Sequence, residues 1–544
     1  MLRHFPQLAA FIAVAALLTA CATAAPPEVT AFSPTGIQRG QTAEIAVAGN
    51  LPAWPLQIWS EFPGLTIEPA ADKGQLKIIA AADAPAGIHW IRLANGEGAS
   101  PPRPFFVGAL PEIEEKEPNQ TLAEATPVSA SSVVSGKLAK RGDVDLFAVT
   151  LQPGQTLVAD LLANEVLGSP MDAVLQLCDQ AGTILAQQHD TRGLDPRLIF
   201  ATPTAGTYYV RLFAFPSQPD SSINFAGGDN YFYRLTLTTG PFVDHTLPLA
   251  VTRGTAADLA LAGWNLPSPV ARLEPAANLW RESWLWQLPD AAGLLPLRLV
   301  DHPSLVVAPS ASPEMPQPAP VPVFLTGDFE SPRDVDAVAI EAKKGQRLEI
   351  KVASESLGYE ADPVVTVIDA AGKTLAENDD GGRSERDASV TFNAPADGTY
   401  QVQIRDLHGR GGVRMVYMCT IFQGLPDYAL SIAAGSYRIA PEMTVEIPVA
   451  INRIGGFKEE IEIAAAELPA GVTAEVVKSP GEGDASKSVK LVVKAAADAQ
   501  SGSLRIVGKS AGPTPRERTA TFESTQGTAK YLHRDLWLST GPPK

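Results

Sequence analysis

Residues 172–186 read DAVLQLCDQAGTILA, and residues 362–376 read DPVVTVIDAAGKTLA. In both, apolar residues alternate with polar or small ones, stop at a turn carrying Gly182 or Gly372, and resume. That is the period of a half-buried strand and the turn chemistry of a hairpin. The two stretches are displaced by about 190 residues, and other pairs keep nearly the same spacing. Asp143-Val144-Asp145 recurs as Asp334-Val335-Asp336, and Gly206-Thr207-Tyr208 recurs as Gly398-Thr399-Tyr400. Toward the N-terminus, RGQTAEIAVAG from Arg39 recurs as RGTAADLALAG from Arg253, and DAPAGIHWIRL from Asp83 as DAAGLLPLRL from Asp290. The chain therefore carries a tandem duplication of a unit of roughly 200 residues.

A chain of 544 residues exceeds what one hydrophobic core organises, so several domains of roughly 100–150 residues are expected. Hydrophobic residues at 45% and charged ones at 19% describe folded protein and exclude a disordered chain. The 44 glycines and 47 prolines, with almost no sustained helical periodicity, point to short strands joined by turns. The fold class is all-β, a tandem array of about five β-sandwich domains, each burying the inner faces of two sheets. The formal charge of −17 and the lack of a basic run argue against nucleic acid as a partner, because phosphate binding needs a cationic face.

Residues 1–20 read as a signal peptide: Arg3 is the basic head, and Leu8–Leu18 is an apolar stretch too short to span a bilayer. Leu18-Thr19-Ala20-Cys21 resembles the lipobox of bacterial lipoproteins, which implies cleavage before Cys21 and acylation of its thiol. An ordinary signal cut within Ala22–Ala25 is the alternative. Two or more acyl chains suffice for stable anchoring, so the expected location is the bacterial cell envelope, at the outer membrane or cell surface. The remaining cysteines, Cys178 and Cys419, lie in alternating apolar runs and read as buried, unpaired core thiols.

Glu115-Lys116-Glu117-Pro118-Asn119, then Gly142-Asp143-Val144-Asp145, then Gly206-Thr207-Tyr208 resemble the bacterial pre-peptidase C-terminal domain. That β-sandwich family serves as an accessory module of secreted proteins. The resemblance covers 112–240 and, with the acidic E-x-E-P-N opening replaced by MPQPAPVPV, 320–433. The preceding segments, 27–109 and 241–309, resemble immunoglobulin-like (Ig-like) modules of bacterial surface proteins, as does 435–526; residues 527–544 form a tail or last strand. Residues 302–322, HPSLVVAPSASPEMPQPAPVP, read as an extended Pro/Ser-rich linker.

Glu115, Glu117 and Asn119 alternate, so an extended backbone sets them on one face, and Asp143 and Asp145 share a face of the next strand. Oxygen donors of this kind suit Ca²⁺. In collagen-binding relatives of the family, calcium is held between these two segments, and the resemblance carries that role to Glu115, Glu117, Asn119, Asp143 and Asp145. A solvated acidic segment is the competing reading, and Gln120 lacks the charge that many family members supply there. The second copy has Asp334 and Asp336 without the upstream acids. Trp280, Trp284 and Trp286 fall on one face of a strand; such a row stacks on sugars if exposed and fills a core if buried. The aligned position of Trp284 is Ile78, which favours core.

No GxSxG, HExxH or glycine-rich phosphate loop occurs, and the histidines are scattered singly. The expected function is non-catalytic: a lipid-anchored surface protein acting as a binding, adhesion or scaffolding rod, with extracellular polysaccharide or protein as partner. The alternative is an accessory or inhibitory subunit of a secreted hydrolase, or a hydrolase without a recognisable motif. Cys21→Ser should move the protein from the membrane to the soluble fraction. Equal incorporation of a fatty-acid probe by wild type and variant would refute the lipid anchor.

Overall fold

The computed structural model describes residues 25–542 except 62, 219–223, 276–282, 383–385, 425, 513–514 and 527–528. Cys21 and Trp280 lie outside the described residues. The chain is an all-β array, with one four-residue α-helix, Asn164–Leu167, among the described residues. No helix among them is long and apolar enough to cross a membrane.

Alternation builds the strands. In Thr444–Ile454, Ile447, Val449 and Ile451 are buried while Glu446, Pro448 and Ala450 are exposed; the period of two sends one set inward and leaves the other in water. The duplicated sandwiches repeat this at the level of topology. In the first, one five-stranded sheet runs Glu112–Glu114, Ser131–Lys137, Phe232–Thr238, Thr156–Leu162, Arg197–Ala201. The facing sheet runs Thr126–Val128, Asp145–Leu151, Gly206–Pro216, Met171–Cys178, Ile184–Gln188. The second copy has the same two orders, from Ser304–Val306 to Ala388–Asn393 and from Gln317–Pro318 to Thr374–Asn378. Each pair of sheets encloses its own apolar core, centred on Phe147, Val210 and Leu235 in the first and Val338, Val402 and Ile421 in the second. Cys178 and Cys419 are free and buried.

The segment 302–322 is not a linker. Ser304–Val306 and Gln317–Pro318 add in parallel to the two sheets of the second sandwich, and Val307 and Ala311 enter its core. They stand where Glu112–Glu114 and Thr126–Val128 stand in the first copy. Proline is tolerated because these are edge strands, where a missing N–H breaks no ladder. Of the tryptophan row, Trp286 is 7% exposed and packs in the core of the second Ig-like module, and Trp284 lies in the same strand, Ser283–Trp286.

The rod is also corrected, because the modules close on one another. Gly87 pairs with Trp286, which joins one sheet of the first Ig-like module to one of the second in a single eight-stranded sheet. Strand Gly87–Asn95 is buried along nearly its whole length. Ile91 and Leu93 face their own core, while Ile88 and Trp90 pack outward with Phe106 of the same module and with Leu162, Val166 and Leu294 of the neighbouring modules. Trp90 meets Tyr531 at 4.7 Å and His533 at 5.0 Å between ring centroids, both from the C-terminal module. Arg92, 1% exposed, donates to the Gly435 carbonyl at 3.0 Å and lies between the rings of Trp59 and Phe522. A strand with apolar side chains on both faces requires a cover on both, and the far end of the chain supplies the second.

Trp90→Ala should cost about 3–5 kcal/mol, as for large aromatic truncations in packed interiors, and loosen the docking of the C-terminal module. Small-angle scattering should then give a larger radius of gyration than wild type. An unchanged radius at unchanged stability would refute the closure.

Candidate metal centre

The structure brings the five candidate residues to one end of the first sandwich. Glu112–Glu114 runs parallel to Ser131–Lys137, and the chain continues with the Glu115 N–H donating to the Ser135 carbonyl at 3.0 Å. Asp145 opens the strand Asp145–Leu151 in the facing sheet. The approach segment is pinned across this gap where the Leu146 N–H donates to the Asn119 carbonyl at 3.0 Å. Carboxylate oxygens of Glu117, Asp143 and Asp145 lie within 4.8 Å of one another.

Glu115 sits one step away. Its Oε1 accepts from the Lys137 N–H at 2.7 Å, and its Oε2 accepts from the Tyr233 hydroxyl. The same hydroxyl lies 2.5 Å from Asp145 Oδ2. A phenol has one proton to give, so two carboxyl groups held against it do not both ionise freely. Burial, and then the neighbouring Glu115, push Asp145 up to about 9, and burial likewise raises Glu115. Asp143 is fixed by the Ala139 N–H at 2.6 Å and by the Gln120 amide at 2.9 Å. Gln120, uncharged, therefore serves as the donor that orients a ligand.

Three buried polar atoms have no hydrogen-bond partner: Asn119 Oδ1, Asn119 Nδ2 and Asp145 Oδ1. Both residues are 0% exposed. Leaving such groups bare costs about 1–3 kcal/mol each, more when charged. A hard cation removes part of that cost, since carboxylate and amide oxygens are the donors Ca²⁺ takes. The donor set therefore fits calcium, with Glu117, Asp143 and Asp145 as its charged part. Bound there, the ion would cross-link the approach segment to the sandwich and displace the shared proton.

Tyr233 and Gly136 belong to this site and were not singled out from the sequence. A Cβ at Gly136 would stand 2.2 Å from the Tyr233 hydroxyl and 2.5 Å from Glu115 Oε2, so glycine is what lets the tyrosine reach both carboxylates. The signal was present in the duplication: Tyr417 occupies the same place, donating to Asp336 Oδ2 at 2.6 Å, beside Gly327. In that copy burial pushes Asp336 up to about 7, while Asp334 accepts from the Glu330 N–H at 3.0 Å. In place of Glu115 and Glu117 the segment 304–318 has Glu314 as its sole acid, and the acids whose charge acts on Asp336 are Asp334, Asp328 and Glu330.

Ser524 Oγ and His533 Nε2 lie 2.7 Å apart. The pair is buried beneath Trp90 and Phe522.

The two sandwiches thus share one strand order, one with the Asp336–Tyr417 pair alone and the other with the fuller acidic set. Residues 334–406 match the family model of the bacterial pre-peptidase C-terminal domain. The match lies in the second copy. A probable subtilase-type serine protease of Deinococcus radiodurans is 34% identical over 105 residues, 19% of this chain and 14% of the protease's own length. Among solved structures, the pre-peptidase C-terminal domain of a collagenase from Bacillus anthracis is similar over 21% of this chain and 99% of that domain, at 13% identity and a TM-score of 0.17. Trypsin-activated alpha-2-macroglobulin from Escherichia coli is similar over 94% of this chain and 49% of that one, at 11% identity and a TM-score of 0.16.

Chelation should lower the melting temperature of the whole chain by several degrees, since a ligand at a hundredfold excess over Kd adds about 2.7 kcal/mol. Glu117→Ala should abolish the calcium response. In chelator the sign of the pH dependence follows from Asp145. Its value is raised on folding, from about 3.9 to about 9, so its contribution is full at low pH and is lost as pH rises across that window. Asp145→Asn should flatten this slope. Identical melting in calcium and in chelator would leave the residues as a buried carboxyl cluster held by Tyr233 without an ion.

Proposed function

We propose that this protein is a non-catalytic, exported binding and scaffolding protein, tethered to the envelope through Cys21 and stiffened by calcium in its first sandwich. The observation that carries the reading is the site built on Glu117, Asp143 and Asp145. It has the donors of a structural cation site, and the Tyr233 hydroxyl beside it is consumed by two carboxylates. The closed arrangement of the modules supports presentation of a fixed surface, with extracellular polysaccharide or protein as the partner class. A second reading, an accessory or inhibitory subunit of a secreted hydrolase, is favoured by the similarity to the subtilase-type protease over 105 residues.

The test is a glycan and matrix-protein array run alongside peptide and glycan hydrolysis assays on the purified mature chain. Binding without turnover is expected. Hydrolysis that a single Ser or carboxylate substitution abolishes would overturn the non-catalytic reading, and inhibition of a co-exported protease would favour the second.

A further inference from the structure

Ala25 is fixed where the first and last modules meet. Its carbonyl accepts from Asn95 Nδ2 at 2.8 Å, and Pro26 packs on Gly98, where a Cβ would stand 3.1 Å from the proline ring. The turn Asn95–Gly98 is in turn docked on the C-terminal module. The Asn95 carbonyl accepts from the Ser539 hydroxyl at 2.7 Å, and the Gly96 carbonyl from Arg438 Nε at 3.2 Å. The Ala99 N–H donates to Ser436 Oγ at 3.0 Å. Strands Ser436–Ile439 and Leu536–Thr540 run in parallel there and end together, with Ile439 opposite Thr540. Beyond them lie the turns at one end of the last sandwich, 440–443, 470–471 and 496–500. The Ala495 N–H donates to the Met443 carbonyl at 3.0 Å, and the Gln500 N–H to the Ala470 carbonyl at 2.9 Å, which holds the three turns side by side.

The two ends of this sandwich differ in chemistry. The three turns hold two charged residues, Glu442 and Asp498, among eleven; most of the others are alanine, and Met443 stands 57% exposed. At the opposite end, 455–460 and 480–487 hold six charged residues among fourteen. Strand Thr444–Ile454 links the two ends, and its eleven residues, at roughly 3.3 Å each, hold them about 35 Å apart. A chain of charge −17 is repelled by an anionic lipid surface least where its acids are fewest. Alanine and methionine also escape the desolvation cost that charged groups incur against headgroups. Cys21 precedes Ala25 by four residues, a span of at most about 14 Å. An acyl group on Cys21 therefore keeps the junction at Ala25 close to the bilayer.

We propose that this end of the C-terminal module, with the Asn95–Gly98 turn beside it, is a lipid-facing surface. The short tether seats turns 440–443 and 496–500 against the headgroups, with Met443 at the contact, and directs the charged end at 455–460 and 480–487 away from them. This orientation rests on the reading of Cys21 as the lipid anchor and adds the surface that meets the bilayer.

The experiment places the acylated full chain in vesicles of phosphatidylethanolamine and phosphatidylglycerol that carry a headgroup spin-labelled lipid. A fluorophore is attached through Met443→Cys or through Glu482→Cys; Cys178 and Cys419 are buried and stay unlabelled. Quenching at position 443 should be several-fold stronger than at position 482. If Met443→Cys fails to fold, Ala497→Cys on the neighbouring turn should be quenched as strongly. Equal quenching at the two ends of vesicle-bound chain, or stronger quenching at 482, would overturn the orientation and leave the tether standing. Chain recovered free of the vesicles would overturn the tether and the orientation with it.

Discussion

One carboxylate, Asp244, holds three modules in register. It lies in the second Ig-like module, and its Oδ1 accepts from Arg197 of the first sandwich and from Arg414 of the second. His245 Nδ1 sits on the other oxygen at 2.8 Å, and Arg197 Nε continues to Asp160 at 2.7 Å. All five side chains are buried. Burial alone would raise Asp244, but the His245 hydrogen bond and the two guanidinium groups outweigh it and keep the carboxyl below its ordinary value. Removing one member of such a network strands the others: breaking a buried pair costs about 3–5 kcal/mol, far more than losing a surface one. The interface is therefore specified by charge geometry, with Phe242, Val158 and Ala292 supplying apolar contact beside it. Arg414 also donates to the Gly358 carbonyl at 2.6 Å, tying the node to the turn Glu355–Leu357 of the second sandwich.

Much of the single-module structure was legible in the residues. Alternation at Tyr208, Val210 and Leu212 placed those side chains in a core, and all three are buried. The spacing of Asp143 and Asp145 placed them at the start of a strand, and Asp145 begins one. The duplication foretold the shared strand order, since equal spacing of motifs in two copies leaves little freedom for different sheets. What was not legible depends on pairs of surfaces far apart in the chain. The stretch IHWIRL reads as one more buried strand, and nothing local in it distinguishes a residue facing its own core from one facing another module. Arg92 in that stretch looks like a solvated charge until Gly435 and Phe522 are folded against it.

The candidate site divides the same way. Glu115, Glu117, Asn119, Asp143 and Asp145 alternate in short segments, which sets them on shared faces, and the family resemblance is what singled them out as one ligand set. Tyr233 was hidden because it enters from a strand about a hundred residues downstream, where a tyrosine among apolar residues reads as core. The misreading of 302–322 has a different cause. Proline and serine abundance describes the lack of helix and of ladder donors, a description that an edge strand satisfies as well as a linker does.

The docking of the last module on the first has a consequence for the order in which the chain is made. Arg103 of the first module bonds Gln526, 423 residues further on, and the rings that cover Trp90 and Arg92, Tyr531 and Phe522, arrive as late. Synthesis delivers the N-terminal end first. During that interval the first module carries a bare strand face with an indole at its centre, the kind of surface through which multidomain chains misassemble. The finished molecule has no such exposure at Trp90, which is 2% accessible. Biogenesis of this protein thus sets a requirement that its native state does not: something must shield that face, or the remaining modules must fold quickly enough, until the C-terminal strands arrive.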